Sequence, residues 1–229
     1  MKKNSESLLN NYMFNTLYTL LNILFPIITA SYVSRVLLAD GVGKISFANN
    51  IVSYFLVFAQ LGIPRYGSRE IAKRRDQEEE RNKIFWEIFG INFFSTLVMI
   101  ILYYVMVINI PYFSNNRILM YLMGLLLIFN FLNVDWFYTG MEEYKYIALR
   151  SMFIKTVSVG LMFCFVKDTN DFMVYGLIQC CATGGNYIFN IINLRKYITF
   201  PNLKMDFKKH IKSIMILLSM TIAVELYAQ

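Results

Sequence analysis

Long apolar stretches separated by short polar segments dominate the hydrophobic pattern of the chain. They predict an all-α polytopic integral membrane protein with six complete transmembrane helices and part of a seventh. A helix needs about 20 apolar residues to cross a hydrocarbon layer of roughly 30 Å. Continuous apolarity favours helices over barrel strands, in which apolar and polar positions alternate. The predicted spans are approximately Leu8–Val33, Val42–Ile63, Ile84–Asn109, Ile118–Tyr138, Ile147–Val166, Phe172–Leu194, and Ser213 to the end.

Composition supports a membrane protein and argues against an enzyme. Hydrophobic residues make up 57% of the chain and charged residues 16%, whereas soluble domains carry roughly 25% charged residues. The predicted connections are too short for a soluble catalytic domain, and no nucleophile triad or nucleotide-binding glycine pattern is present. The single histidine, His210, falls in a predicted basic loop without metal-ligating neighbours. We therefore expect a protein that is not an enzyme, with no cofactor, no metal and no nucleic-acid partner.

The basic residues lie on alternate connections between the predicted spans. If the N-terminus is cytoplasmic, 18 of the 22 Lys and Arg residues lie on the inner side of the membrane. The four on the other side are Arg35, Lys44, Arg117 and Lys167. Cytoplasmic loops of membrane proteins carry an excess of Lys and Arg. We therefore expect a multi-pass protein whose N-terminus is in the cytoplasm.

Amide and hydroxyl side chains recur at helical spacing in the first and sixth predicted spans. At 100° per residue, each set lies on one face of its helix. An amide that faces lipid leaves its donors and acceptors unpaired, so these faces must meet each other or water. Two interpretations stay open: interhelical hydrogen bonds, and a hydrated cavity that receives sugar hydroxyls. The residues are Asn11, Asn15, Tyr18, Asn22 and Thr29 in the first span, and Gln179, Thr183, Asn186, Asn190 and Asn193 in the sixth. The candidates for substrate binding are Asn15, Asn22, Asn186 and Asn190.

Several ionisable residues fall inside predicted spans, where a charge costs on the order of 2.5–3.5 kcal/mol at the helix centre. Asp135 and Arg150 lie near the ends of adjacent antiparallel spans, so we expect a structural or gating ion pair. Lys155 has no obvious partner in the sequence and is a candidate to hold a pyrophosphate as a point charge. Glu225 falls near the middle of the last span and is a candidate for ion coupling.

Three segments carry a family resemblance. They are SRVLLADGVGKISFANNIVSYF (Ser34–Phe55), FAQLGIPRYGSREIAKRRD (Phe58–Asp76) and VDWFYTGMEEYKYIALRSMFIK (Val134–Lys155). Together with SMTIAVELY near the end, they resemble the Wzx-type O-antigen and capsular polysaccharide repeat-unit flippases, in the polysaccharide-transport branch of the MOP exporter superfamily. The resemblance covers the whole chain but only the N-terminal half of the family's pattern.

The resemblance implies translocation of undecaprenyl-pyrophosphate-linked oligosaccharide repeat units across the bacterial plasma membrane for surface polysaccharide synthesis. It implies a lipid-linked oligosaccharide and membrane lipids as partners, together with a missing C-terminal lobe, and it makes the polysaccharide polymerase machinery a further candidate. Arg35, Arg65, Asp135, Arg150 and Lys155 stand in the matching motifs. Because the family is expected to have a cationic cavity for the anionic pyrophosphate, Arg35 and Lys155 are the candidate ligands.

The resemblance also suggests how the chain is divided. Residues 1–212 are expected to form the N-terminal transmembrane lobe with helices 1–6, and residues 213–229 the start of a truncated helix 7. The family motif usually has Gly where Leu38 stands, which predicts an altered turn after the first span. Two alternatives stay open: an ion-coupled MATE-like small-molecule exporter, which requires an acidic cluster in the cavity, and a non-functional fragment.

Overall fold

The computed structural model describes residues 2–200 and 205–228, with side chains at 13, 16, 19, 20, 22–200 and 205–223. Within these ranges the chain consists of helices and short connections, which confirms the predicted all-helical fold class. The α-helices are α1 (Lys2–Val36), α2 (Leu38–Gln60), α3 (Ile63–Lys73), α4 (Glu78–Asn109), α5 (Arg117–Met123), α6 (Leu125–Phe129), α7 (Asp135–Gly140), α8 (Tyr144–Phe165), α9 (Phe172–Leu194) and α10 (Lys208–Ala228). The 3-10 segments are Pro111–Asn116, Asn130–Leu132 and Thr169–Asp171.

Four helical stretches of the described chain are long and apolar enough to cross a membrane: Leu38–Lys73, Glu78–Asn109, Pro111–Leu132 and Tyr144–Phe165. Only about a fifth to a third of each apolar window is buried inside the protein, as in Glu78–Asn109 at 22%. Large apolar side chains such as Phe94, which is 66% exposed, therefore face outward. A protein that presents this much apolar surface needs lipid around it. The predicted count of six spans and part of a seventh stays a prediction.

The turn between α1 and α2 is much shorter than the sequence indicated. Helical hydrogen bonds continue through it, from Leu37 N to Val33 O and from Gly41 N to Leu37 O. Leu38 adopts φ of 55°, the left-handed conformation that glycine tolerates and a leucine rarely adopts. This position is where the family motif usually has Gly. Leu38 therefore has a strained backbone at this turn.

The predicted fourth span, Ile118–Tyr138, differs most from the structure because it is broken into several pieces. Gly124 separates α5 from α6, and a 3-10 turn at Asn130–Leu132 follows α6. Asn133 and Val134 then leave the helix before α7 begins at Asp135. The hydrophobic pattern could not show these breaks, because an interrupted helix and a continuous helix can have the same order of apolar residues along the chain.

The basic connections meet at one end of the helix bundle. Arg81 Nη2 donates to Tyr197 O over 3.0 Å, and Arg75 Nη2 donates to Gly140 O over 3.1 Å. Arg75 also pairs with Glu142 at 2.8 Å, and this hydrogen bond holds the pKa of the Glu142 carboxyl below its ordinary value. That these connections lie at the same end of the bundle agrees with the uneven distribution of Lys and Arg along the sequence.

A buried polar network attaches α10 to the same end. His210 Nε2 lies 2.8 Å from Glu87 Oε2, and His210 Nδ1 lies 2.6 Å from the Tyr66 hydroxyl. Glu87 also accepts from the backbone N–H of Asp206 over 2.6 Å and pairs with Lys209 at 2.8 Å. The interpretation of His210 as a loop residue was wrong, because it is buried in the first turn of α10. Helix α10 also begins at Lys208, before the predicted boundary at Ser213.

Close packing between α3 and α7 depends on two glycines. A Cβ on Gly67 would lie 2.4 Å from a Trp136 ring carbon, and one on Gly140 would lie 2.7 Å from Ser68 O. Both contacts are far shorter than van der Waals distance. The glycines therefore allow the two short helices to touch, and this contact positions the basic end of the bundle.

We predict that Gly67→Ala destabilises the protein by about 1–3 kcal/mol, because the added methyl group overpacks the contact with Trp136. The measurement is thermal unfolding of the detergent-solubilised chain, followed by circular dichroism. Gly160→Ala is the matched control, since a Cβ there meets no atom within 4 Å. It should raise stability by about 0.5–1 kcal/mol, because alanine favours a helix interior over glycine. Equal unfolding temperatures for the two variants would contradict the close-packing account.

Candidate functional site

A cavity of about 640 Å³ lies between α1, α2, α6, α8 and α9. Its volume falls within the roughly 300–1,000 Å³ typical of small-molecule sites. Apolar and aromatic side chains form most of its wall, and a few polar groups point into it. The polar and aromatic lining residues include Phe25, Thr29, Asn49, Lys155, Ser158, Tyr175, Gln179 and Thr183.

Lys155 is held on this wall by α1. Its ammonium group donates a short hydrogen bond to Asn22 Oδ1 and lies 5.7 Å from the centre of the Phe25 ring. Pro26, one turn after Asn22, has no N–H. The backbone carbonyl of Asn22 therefore cannot receive its helical hydrogen bond from that position. The sequence showed no partner for Lys155, because the partner lies on a helix distant in the chain.

An amide pair closes the part of the cavity next to α2. Asn49 Nδ2 donates to Gln179 Oε1 over 3.2 Å, which joins α2 to α9. Thr183 lies one helical turn after Gln179, and its hydroxyl donates to the Gln179 backbone carbonyl over 3.1 Å. Both amides keep further donor and acceptor capacity. The cavity therefore presents one ammonium group and a set of neutral hydrogen-bonding groups.

Other amides in the bundle act as interhelical contacts away from the cavity. Gln60 Nε2 donates to Asn130 Oδ1 over 3.2 Å, and Asn130 Nδ2 donates to Thr96 Oγ1 over 2.8 Å. Asn92 Nδ2 also donates to the Asn130 backbone carbonyl over 3.2 Å. The interpretation as interhelical hydrogen bonds is therefore confirmed for these residues. The hydrated cavity that receives sugar hydroxyls stays a prediction.

Asp135 and Arg150 lie together, as their positions in the sequence suggested. Arg150 Nη2 lies 2.9 Å from Asp135 Oδ1, with the arginine side chain 6% exposed and the aspartate side chain 42% exposed. Asn190 donates its amide N–H to the same carboxylate oxygen. The Tyr138 hydroxyl donates to the Asn190 backbone carbonyl over 2.7 Å. The cluster joins α7, α8 and α9, and its role in gating stays a prediction.

The remaining candidates occupy different places. Arg35 is exposed in the last turn of α1, about 13 residues and so roughly 20 Å from Asn22 along the helix. Asn186 donates to the Ala182 backbone carbonyl within its own helix over 3.0 Å. The side chains of Asn15 and Glu225 lie outside the described residues. Among the predicted binding residues with described side chains, Lys155 lines the cavity and Asn22 contacts it.

The aromatic residues in the cavity wall were not among the predicted site residues. Phe25 and Tyr175 look like ordinary apolar residues of their spans, so no pattern distinguishes them from lipid-facing aromatics. Ser158 carried a detectable signal, because it follows Lys155 by three residues and so lies on the same helical face. Among the described residues, no group of three or more His, Cys, Asp or Glu side chains is arranged to hold a metal ion.

The charge of the cavity favours an anionic ligand. Lys155 is the one charged residue among the described residues that line it, and none of them is acidic. A cation in a site without a carboxylate attracts anions, and the apolar wall around it weakens the attraction less than water would.

Comparison with known proteins shows which family the sequence matches. A sequence model of the family described as "Polysaccharide biosynthesis protein" matches residues 8–229. The chain is 26% identical over 198 residues to the "Putative O-antigen transporter" of Escherichia coli (strain K12). The alignment covers 85% of this chain and 46% of the relative, so the chain spans about half the length of that protein. No solved structure matches the chain significantly.

We predict that Asp135→Asn destabilises the protein by about 1.5–3 kcal/mol, because the buried Arg150 guanidinium loses its charged acceptor. Asp40→Asn is the matched control: the Asp40–Lys44 pair is exposed, with the aspartate side chain 80% accessible. Its removal should cost less than about 1 kcal/mol. Chemical unfolding of the detergent-solubilised variants measures both. A cost for Asp135→Asn no larger than that of the control would rule out a structural role for the buried pair.

Proposed function

We propose, since the chain belongs to the polysaccharide biosynthesis protein family, that it forms one lobe of a flippase for undecaprenyl-pyrophosphate-linked oligosaccharide repeat units. The family supports a role in moving a polysaccharide precursor across a membrane. The lipid-linked substrate and the half-transporter arrangement belong to the proposal. Residues 1–212 would be the N-terminal lobe, and α10 would lead into a second lobe that supplies the other wall of the passage.

The observation that carries the proposal is Lys155 in the cavity between α1 and α8. A pyrophosphate group carries several negative charges and needs cationic or N–H donors to leave water. Lys155 offers an ammonium group within a mainly apolar wall, and its present acceptor, Asn22, is neutral. A phosphate oxygen would be a stronger acceptor than this amide because charge-assisted hydrogen bonds are roughly twice as strong.

The neutral polar groups of the same cavity suit the sugar that follows the pyrophosphate. Asn49, Gln179 and Thr183 in the lining, with Asn22 beside Lys155, combine donors and acceptors, and each sugar hydroxyl can do both. The cavity thus places one cation beside hydroxyl-binding groups. A lipid-linked oligosaccharide has the matching arrangement, with an anionic pyrophosphate followed by sugars. In this proposal Arg35 attracts the pyrophosphate at another level of α1, and Asn15 is a further contact for the substrate. Asn186 and Asn190 contact the substrate only if the bundle rearranges.

The Asp135–Arg150 pair and Glu225 have separate roles in the proposed cycle. The pair joins α7 to α8 near the basic end of the bundle, and Asn190 adds α9 to the same cluster. Breaking the pair would therefore loosen three helices at once. Glu225 is proposed to couple an ion to transport. A MATE-like exporter of cations would instead require carboxylates in the cavity, and the acid-free lining of the described wall favours the anionic substrate.

Binding of undecaprenyl pyrophosphate tests the role of Lys155. In lipid nanodiscs, Lys155→Gln should bind the radiolabelled probe roughly ten- to a hundredfold more weakly, since one charge-assisted hydrogen bond contributes roughly 1.5–3 kcal/mol. Lys155→Arg should bind within about threefold of the unaltered chain, because the guanidinium keeps the charge.

Lys167→Gln provides the matched control for this experiment. Lys167 is an exposed lysine in the connection after α8 and does not line the cavity, so its removal should leave binding unchanged. Undiminished affinity of Lys155→Gln, or equal losses in the two Gln variants, would overturn the assignment of Lys155 as the pyrophosphate ligand.

The proposed location is the bacterial plasma membrane, with the basic end of the bundle in the cytoplasm. We predict that a cysteine introduced as Lys73→Cys is protected from a membrane-impermeant maleimide added to intact cells. Lys167→Cys, at the opposite end, should react. Both variants are made after Cys164, Cys180 and Cys181 have been replaced by Ala. Labelling of Lys73→Cys from outside would reverse the orientation.

A further inference from the structure

A second cavity, of about 580 Å³, lies where α2 begins. It is bounded by the first turns of α2 and by the 3-10 segment Pro111–Asn116 that follows α4. Its α2 residues include Asp40, Lys44 and Phe47, and at 100° per residue these lie opposite Asn49 on the helix. Helix α2 therefore separates this cavity from the one that contains Lys155, and the two are distinct sites.

Two aromatic rings form the side walls of this second cavity. Tyr112 is 75% exposed, and its ring meets Phe47 edge to face with 5.8 Å between the ring centres. Phe47 is itself 38% exposed and lies 6.2 Å from the ring of the buried Phe113. The buried ring fixes Phe47, and Phe47 in turn supports Tyr112. The cavity thus offers aromatic surface that is both held in place and open to a ligand.

Polar groups surround the aromatic rings. Asn115 and Asn116 line the cavity beside them. Lys44 Nζ pairs with Asp40 Oδ2 at 2.6 Å and lies 5.2 Å from the centre of the Phe172 ring. The two charges compensate each other, so the cavity has no excess charge to attract an anion or a cation. Asp40 Oδ1 and the two amides supply acceptors and donors for a neutral ligand.

We propose that this cavity binds a neutral sugar residue, a hexose or an N-acetylhexosamine. A pyranose ring has an apolar face of C–H bonds and a rim of hydroxyl groups. The C–H face fits against the Tyr112 ring, while Asp40, Asn115 and Asn116 receive the hydroxyl rim. The assignment of the sugar to a transported glycan rests on the proposed function. The sugar site itself stands on this cavity and does not require Lys155.

The exposed aromatic residues have one simpler explanation, namely anchoring at the membrane interface, where Tyr is common. An anchor needs only a tyrosine that faces lipid headgroups. Here the ring stands within a concave site beside two amides and a compensated ion pair. The sugar proposal predicts a dependence on the amides that an anchor would not show.

Saturation-transfer NMR on the whole chain tests the proposal, in a detergent without a sugar headgroup. The probes are the methyl glycosides of glucose, galactose, N-acetylglucosamine and N-acetylgalactosamine. We expect transfer to the ring protons of at least one glycoside, reduced about fivefold in Tyr112→Ala because the stacking surface is lost. Tyr112→Phe should retain the transfer, and the double variant Asn115→Ala/Asn116→Ala should lose most of it.

Lys167→Gln, which removes an exposed lysine that lines neither cavity, is the matched control, and it should show unchanged transfer. Circular dichroism of each variant verifies that the helices persist. No transfer from any of the four glycosides would overturn the sugar site. Transfer that survives loss of both amides would overturn this site and point to sugar bound elsewhere, such as at the first cavity. Failure of pyrophosphate binding to depend on Lys155 would refute the proposed function and leave the sugar site standing.

Discussion

The structure depends on one constraint: polar groups surrounded by apolar helices must find their partners inside the protein. Asn130 shows how this is met. It is fully buried, accepts from Gln60, donates to Thr96, and receives Asn92 on its backbone carbonyl. An unsatisfied amide in such surroundings costs several kcal/mol. The break after α6 places Asn130 where these partners converge, so the interruption of the helix and the polar network stabilise each other.

Long apolar runs predicted which segments are helical, and the distribution of Lys and Arg predicted which connections share an end of the bundle. Proximity in the chain sufficed for Asp135 and Arg150, whose segments are consecutive. It could not show that His210 meets Glu87 or that Lys155 meets Asn22, since these partners are more than a hundred residues apart. Periodicity records only whether a side chain is apolar. The identity of a distant partner depends on how helices pack.

Helix α2 shows why the candidate sites were only partly predictable. One of its faces carries Asn49 towards the cavity with Lys155, and the opposite face carries Asp40 and Phe47 towards the second cavity. Asn49 falls on a polar face that the sequence shows, but Asp40 and Phe47 form no polar stripe, so the pattern along α2 did not indicate the second cavity. The cavities appear only when α9 approaches from one side and the segment after α4 approaches from the other.

The contact between Lys155 and Asn22 gives the proposed passage a physical means of both holding and releasing its substrate. A lone ammonium group in this wall needs an acceptor, and the Asn22 side chain supplies one that carries no charge. An arriving phosphate oxygen would displace that neutral acceptor with a net gain, because it interacts more strongly with the same donor. A carboxylate in the place of Asn22 would pair too strongly to be displaced. In the proposed cycle the amide would return when the anion leaves, so Lys155 would not be left without a partner in the apolar wall. The neutral acceptor would then limit how tightly the proposed site binds, as repeated transport requires.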